Sequence, residues 1–114
     1  MWRTNGAGEV YGYIATTTGY GNEWGKGNFT WLADGQWHQV IEQVHLNTLG
    51  KSDGWVTLSY NGKQVIDQTG LTITTTDTKI GGLFFSTFYG GNDSTWAPTA
   101  DEHIDYMKFT GSIQ

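Results

Sequence analysis

Tyr11 and Tyr13 are the first residues in this sequence whose types and spacing invite chemistry. They lie in the run Glu9-Val10-Tyr11-Gly12-Tyr13-Ile14, whose alternation predicts a half-buried β-strand. Val10 and Ile14 share one parity and suit a core. Glu9, Tyr11 and Tyr13 share the other and stand side by side on the opposite face. A phenol ordinarily titrates near 10, yet it can give or take a proton in a reaction if its surroundings bring it toward neutrality. The same Tyr-x-Tyr pattern equally suits cross-strand packing. Arg3, the only arginine of the chain, stands just upstream. Its fork of donors matches a carboxylate.

A second set of polar groups comes from Gln43, His45 and Asn47. In the long β-like run Trp37–Asn47, these three share one parity while Val40, Val44 and Leu46 share the other and are expected to face a core. Ile41 and Glu42 interrupt the alternation and suggest a bulge. His38 follows Trp37 at a strand start and reads as structural. His38, His45 and His103 show no spacing that suits zinc. Asp53, Asp93 and Asp101 fall in turns. They are typical turn formers, although such positions would also accommodate a structural calcium.

These residues must be positioned by short strands. The chain has 114 residues, 17 Gly, 1 Pro, 6 Trp, 6 Tyr and no Cys, which is the composition of an all-β single domain with many tight turns and no disulfides. Asn5-Gly6 and Asn61-Gly62 are hairpin signals. Strands are expected at Trp2–Thr4, Glu9–Thr16, Asn28–Leu32, Trp37–Asn47, Trp55–Tyr60, Lys63–Asp67, Leu71–Thr76, Lys79–Tyr89 and Glu102–Phe109. The Leu71–Thr76 run reads as an edge. Thr17–Lys26, with three glycines, reads as a flexible loop, and it lacks the strand-and-helix context of a phosphate-binding loop. No helix is convincing, and the pattern predicts an antiparallel sandwich or jelly roll. The formal net charge of −5 and the absence of a basic patch argue against nucleic acid. No apolar run reaches membrane-spanning length, and no leader pattern follows Met1.

Three strings together resemble a known group of enzymes. The first is Met1–Gly6 with Gly8–Tyr13. The second is Trp37-His38 through Val44–Thr48 and Gly50–Gly54. The third, the most specific, is Phe85–Gly91 running into Trp96-Ala97-Pro98. Their order resembles the β-jelly-roll polysaccharide lyases, specifically the alginate lyases of family 14 and the related glucuronan lyases. Parts of the second string also occur in concanavalin-like carbohydrate-binding sandwiches.

The resemblance implies a secreted polyuronate lyase acting by β-elimination without a redox cofactor, its partner an acidic polysaccharide. Tyr11 and Tyr13 would be acid and base in unassigned order, Arg3 would neutralise the substrate carboxylate, and Gln43, His45 and Asn47 would position sugars. Members of the group are about twice this long, so the chain is expected to match the C-terminal half of such a domain, truncated at its N-terminus. The Lys that the group carries upstream of the Trp-Arg string has no counterpart here, and Lys26 is the nearest cation that could intrude. An incomplete jelly roll would expose strand edges, which invite a homodimer. The competing expectations are a non-catalytic carbohydrate-binding module and an inactive lyase fragment.

Overall fold

A computed structural model describes residues 1–113. The chain is all-β and divides into two compact units, Met1–Lys79 and Ile80–Gln114. In the first unit, β1 (Val10–Gly12) pairs antiparallel with β2 (Asn22–Trp24). The strands β3 (Val40–His45), β4 (Gly54–Tyr60) and β5 (Lys63–Leu71) form a second antiparallel sheet in the order β3-β4-β5.

The two sheets share one core. On β4, buried Val56, Leu58 and Tyr60 alternate with half-buried Trp55, Thr57 and Ser59, the period of a strand covered on one face. Val10, Phe29, Ile66 and Leu71 join the buried side, with Ile14, Trp24 and Trp31 packed around them. Each such aliphatic side chain contributes about 1.5–3 kcal/mol by leaving water. Phe29 also fixes the backbone beside it. The Gly8 amide donates to the Phe29 carbonyl at 2.9 Å, and a Cβ on Gly8 would lie 2.2 Å from the Phe29 ring.

Both predicted Asn-Gly turns form. Asn5 and Gly6 have φ of 59° and 75° within a three-residue turn, Thr4–Gly6, and Asn61 and Gly62 have φ of 51° and 78°, the left-handed pair that a two-residue hairpin requires. The second turn joins β4 to β5 through the Tyr60–Lys63 pair. His38 braces it, as its ring lies 2.9 Å from both Asp34 Oδ1 and the Asn61 side-chain amide and stacks on Tyr60.

Other expectations are corrected. No bulge occurs at Ile41 or Glu42: β3 pairs with β4 in unbroken register from Val40–Tyr60 to His45–Trp55. The alternation breaks because Glu42 occupies a core-side position near an open cleft of about 330 Å³, lined among others by Glu9, Val10, Trp31, Val40 and Leu58. There burial pushes the Glu42 carboxyl above its ordinary value. Val40 and Val44 lie on the expected face but remain exposed, since β3 is an edge strand. The Thr17–Lys26 loop contains β2. Residues 72–76 form no strand, because β5 already runs to Leu71 and ends beyond Gly70 at φ 73°.

In the second unit, the strands expected over Lys79–Tyr89 and Glu102–Phe109 do not form. The described residues of this unit contain one 3₁₀ turn, Ser94–Trp96, capped by Asp93, and a cluster of Phe85, Tyr106 and Phe109 with ring centroids 4.6–6.1 Å apart. Apolar residues on both parities call for a strand covered on both faces. Without paired neighbours, the backbone has no ladder to join.

Candidate active site on the outer face of β1 and β2

The site begins with the Asn5-Gly6 turn. It folds Arg3 back beside the entry to β1, with the Arg3 amide 2.8 Å from the Ala7 carbonyl and Trp2 bridged to Gly8. From there the guanidinium reaches Glu9. Arg3 Nε and Nη2 each lie 2.6 Å from Glu9 Oε1. Glu9 is 0% exposed, and its second oxygen has no partner among the described residues. A buried carboxylate so placed depends on its one cation. The hydrogen bond that Arg3 donates to Glu9 in turn raises the Arg3 pKa above its already high ordinary value.

The same guanidinium serves two further groups. Nη2 lies 2.7 Å from Glu23 Oε1, and Cζ sits 5.4 Å from the centre of the Tyr11 ring, within range of a cation–π contact. Glu23 is opposite Tyr11 in the β1–β2 register. Its other oxygen accepts from Lys26 Nζ at 3.0 Å. That bond, ahead of any other cause, holds the Glu23 carboxyl below its ordinary value.

Alternation places Tyr11 and Tyr13 on one face, and the hydroxyls are 3.3 Å apart with the rings edge to face. The Tyr11 oxygen accepts the Gly21 amide at 2.8 Å. Tyr13 is 69% exposed, and its hydrogen bond with Tyr11 raises its phenol above the ordinary value. Glycine at 21 lets the Tyr11 ring keep this place, since a Cβ there would meet the ring at 2.6 Å. Thr17 secures the connection from below, its hydroxyl taking the Ile14 amide at 2.8 Å and the Asn22 side-chain amide at 2.6 Å.

The structure therefore brings Arg3, Tyr11 and Tyr13 together, and adds Glu9, Gly21, Glu23 and Lys26. Lys26 was the nearest cation the sequence offered, whereas Gly21 and Glu23 escaped sequence reading because the glycines around them hid β2. The only available signal was the length of the Thr17–Lys26 segment, sufficient for a return strand.

Gln43 and His45 belong to a different surface. They pair with Thr57 and Trp55, whose side chains point away from the core that Val10 enters. His45 stacks on Trp55 at 5.3 Å with an 11° interplanar angle, and Gln43 lines a shallow cleft with Trp55, Thr57, Gln64, Asp67 and Thr69. Asn47 leaves this face altogether. It is buried, its amide nitrogen bonds the carbonyls of Thr48, Lys51 and Thr74, and its oxygen takes the Thr74 amide. A side chain so fully engaged holds loops together and has no group left for a sugar. Asp53 likewise accepts the Thr48 amide at 2.7 Å, and Asp93 caps its 3₁₀ turn.

The antiparallel sandwich thus displays a phenol pair beside an anchored arginine on an open sheet face. The family model described as Polysaccharide lyase 14 matches residues 1–109, and the chain belongs to that family. No curated protein and no solved structure matches it. No helix among the described residues is long and apolar enough to cross a membrane.

Proposed function

We propose that the protein cleaves a polyuronate, a glucuronan- or alginate-like chain, by β-elimination. The observation that carries this reading is the 3.3 Å contact between the Tyr11 and Tyr13 hydroxyls beside the Arg3 guanidinium. The C5 proton of a uronate is poorly acidic until the charge of its C6 carboxylate is offset. Arg3 supplies that offset. Tyr11, whose oxygen accepts the Gly21 amide, takes the C5 proton. The C5–H electron pair becomes the C4=C5 double bond, the C4–O4 bond breaks, and Tyr13 donates its proton to the departing O4.

The turnover leaves Tyr11 protonated and Tyr13 ionised. Because their oxygens are 3.3 Å apart, one proton transfer from Tyr11 to Tyr13 restores the starting state. On this reading the partner is an acidic polysaccharide and the protein is secreted. The test follows the ultraviolet absorbance of the unsaturated product on glucuronan and alginate. Wild-type protein is expected to generate it, and the Tyr11→Phe/Tyr13→Phe double variant is expected to lose it. Undiminished activity in the double variant would refute the assignment.

A second reading has one specific support, the cleft of Gln43, Trp55, Thr57, Gln64, Asp67 and Thr69 with the His45–Trp55 stack at its side. An aromatic surface ringed by amides and hydroxyls suits sugar contact, so this face would act as a non-catalytic carbohydrate-binding surface. Oligosaccharide binding that is lost on Trp55→Ala and retained in the double Tyr variant distinguishes it.

A further inference from the structure

We infer that Glu23 holds the place the substrate carboxylate takes, and that Lys26 is the second cation that receives it. The inference rests on the lyase reading above and assigns two residues which that reading leaves without a role. The Glu23 carboxylate bridges two cations, one oxygen 2.7 Å from Arg3 Nη2 and the other 3.0 Å from Lys26 Nζ. It lies directly across from Tyr11 in the sheet. A carboxylate in that position therefore sits beside the phenol pair with each oxygen facing one cation.

The two acids that bind Arg3 differ in a way that separates their tasks. Glu9 is fully buried and fixed. Glu23 is 40% exposed in its side chain and Lys26 is 52% exposed. Exposed ion pairs contribute little and exchange readily with solvent and other ions. An incoming uronate can therefore displace Glu23 while Glu9 keeps the guanidinium aimed. Glu23 thus competes with substrate for both cations. The C6 charge is then offset twice over, through Arg3 and Lys26.

The test measures equilibrium binding of a glucuronic acid oligosaccharide by calorimetry, and KM and kcat where the wild type turns over. Glu23→Gln removes the competing charge, and it should tighten binding and lower KM by about two- to fivefold with kcat changed less than KM. Lys26→Gln removes a charge-assisted contact and should weaken binding by about tenfold or more. Neither change should alter binding of the methyl-esterified, uncharged oligosaccharide. Because both side chains are exposed, the thermal midpoints of both variants serve as the control for folding.

Weaker or unchanged binding in Glu23→Gln overturns the inference, since Glu23 would then serve Arg3 instead of competing for it. Unchanged binding in Lys26→Gln overturns it as well. If the wild type binds the oligosaccharide as described but yields no unsaturated product, the elimination chemistry fails while the carboxylate site stands. If turnover occurs and the two variants behave as wild type, the reverse holds. If the wild type neither binds nor turns over the uronate, both are refuted.

Discussion

Arg3→Met should cost far more stability than a half-buried surface arginine normally does. Arg3 gives two donors to one oxygen of Glu9, both at 2.6 Å, and Glu9 is 0% exposed with its other oxygen unpartnered. Methionine keeps most of the apolar stem, so the variant isolates the loss of charge. Stranding a buried carboxylate in this way costs about 3–5 kcal/mol. Arg3 itself is 24% exposed in its side chain, so water can partly take its place and the lower end of that range applies. The assay is urea unfolding followed by tryptophan fluorescence, since Trp24 and Trp31 pack against the core. With a slope of about 1.5 kcal/mol per molar, a 3 kcal/mol loss moves the midpoint down by roughly 2 M. Glu9→Gln added to Arg3→Met removes the stranded charge and should recover more than half of the deficit, a coupling of about 1–3 kcal/mol in the cycle. A loss below about 1 kcal/mol for Arg3→Met, or a double variant no more stable than the single one, would refute the description of Glu9 as a buried charge held by Arg3.

Two further outcomes probe the phenol pair. Gly21→Ala places a methyl group 2.6 Å from the Tyr11 ring. The ring can swing aside at small cost to stability but loses the Gly21 amide and its contact with Tyr13, so kcat should fall by about 10²-fold with little change in thermal midpoint. The Tyr13 phenol is held above its ordinary value chiefly by the hydrogen bond with Tyr11. Followed by carbon-13 NMR of its Cζ, it should titrate above the ordinary 10 in the wild type and move down toward that value in Tyr11→Phe. An upward move would contradict the hydrogen-bond origin of the shift.

Much of the site was legible in the sequence because strand alternation is a strict rule. Tyr11 and Tyr13 had to share a face, Val10 had to oppose them, and Asn5-Gly6 had to turn the chain so that Arg3 returned near them. Alternation also placed Val56, Leu58 and Tyr60 together on the core side. It reports which face a residue joins, however, and says nothing of whether that face is covered. Val40 and Val44 took their expected side of β3 and stayed exposed at the sheet edge. Ile41 and Glu42 looked like a bulge only because a glutamate stands at a core-side position beside an open cleft. β2 was invisible because three residues flanked by glycine carry little strand signal, while its pairing with β1 is decided by contacts distant in sequence. Asn47 was misread for a related reason. Its parity with Gln43 and His45 held only as far as the strand did, and β3 ends at His45.

That same Asn47 sets a limit on how this scaffold can be rewritten. One carboxamide answers the carbonyls of Thr48, Lys51 and Thr74 and the amide of Thr74, so three stretches of chain meet on a single side chain. Aspartate has the right length but no N–H to offer those carbonyls, glutamine has the right group one methylene too far out, and serine has too few bonds to give. Gly50, only three positions on, has open space around it but a φ of 77°, the left-handed region that favours glycine. The loop therefore has a root fixed by its hydrogen bonds and a tip fixed by its backbone, and anyone grafting a new segment onto this sandwich has two residues to leave alone.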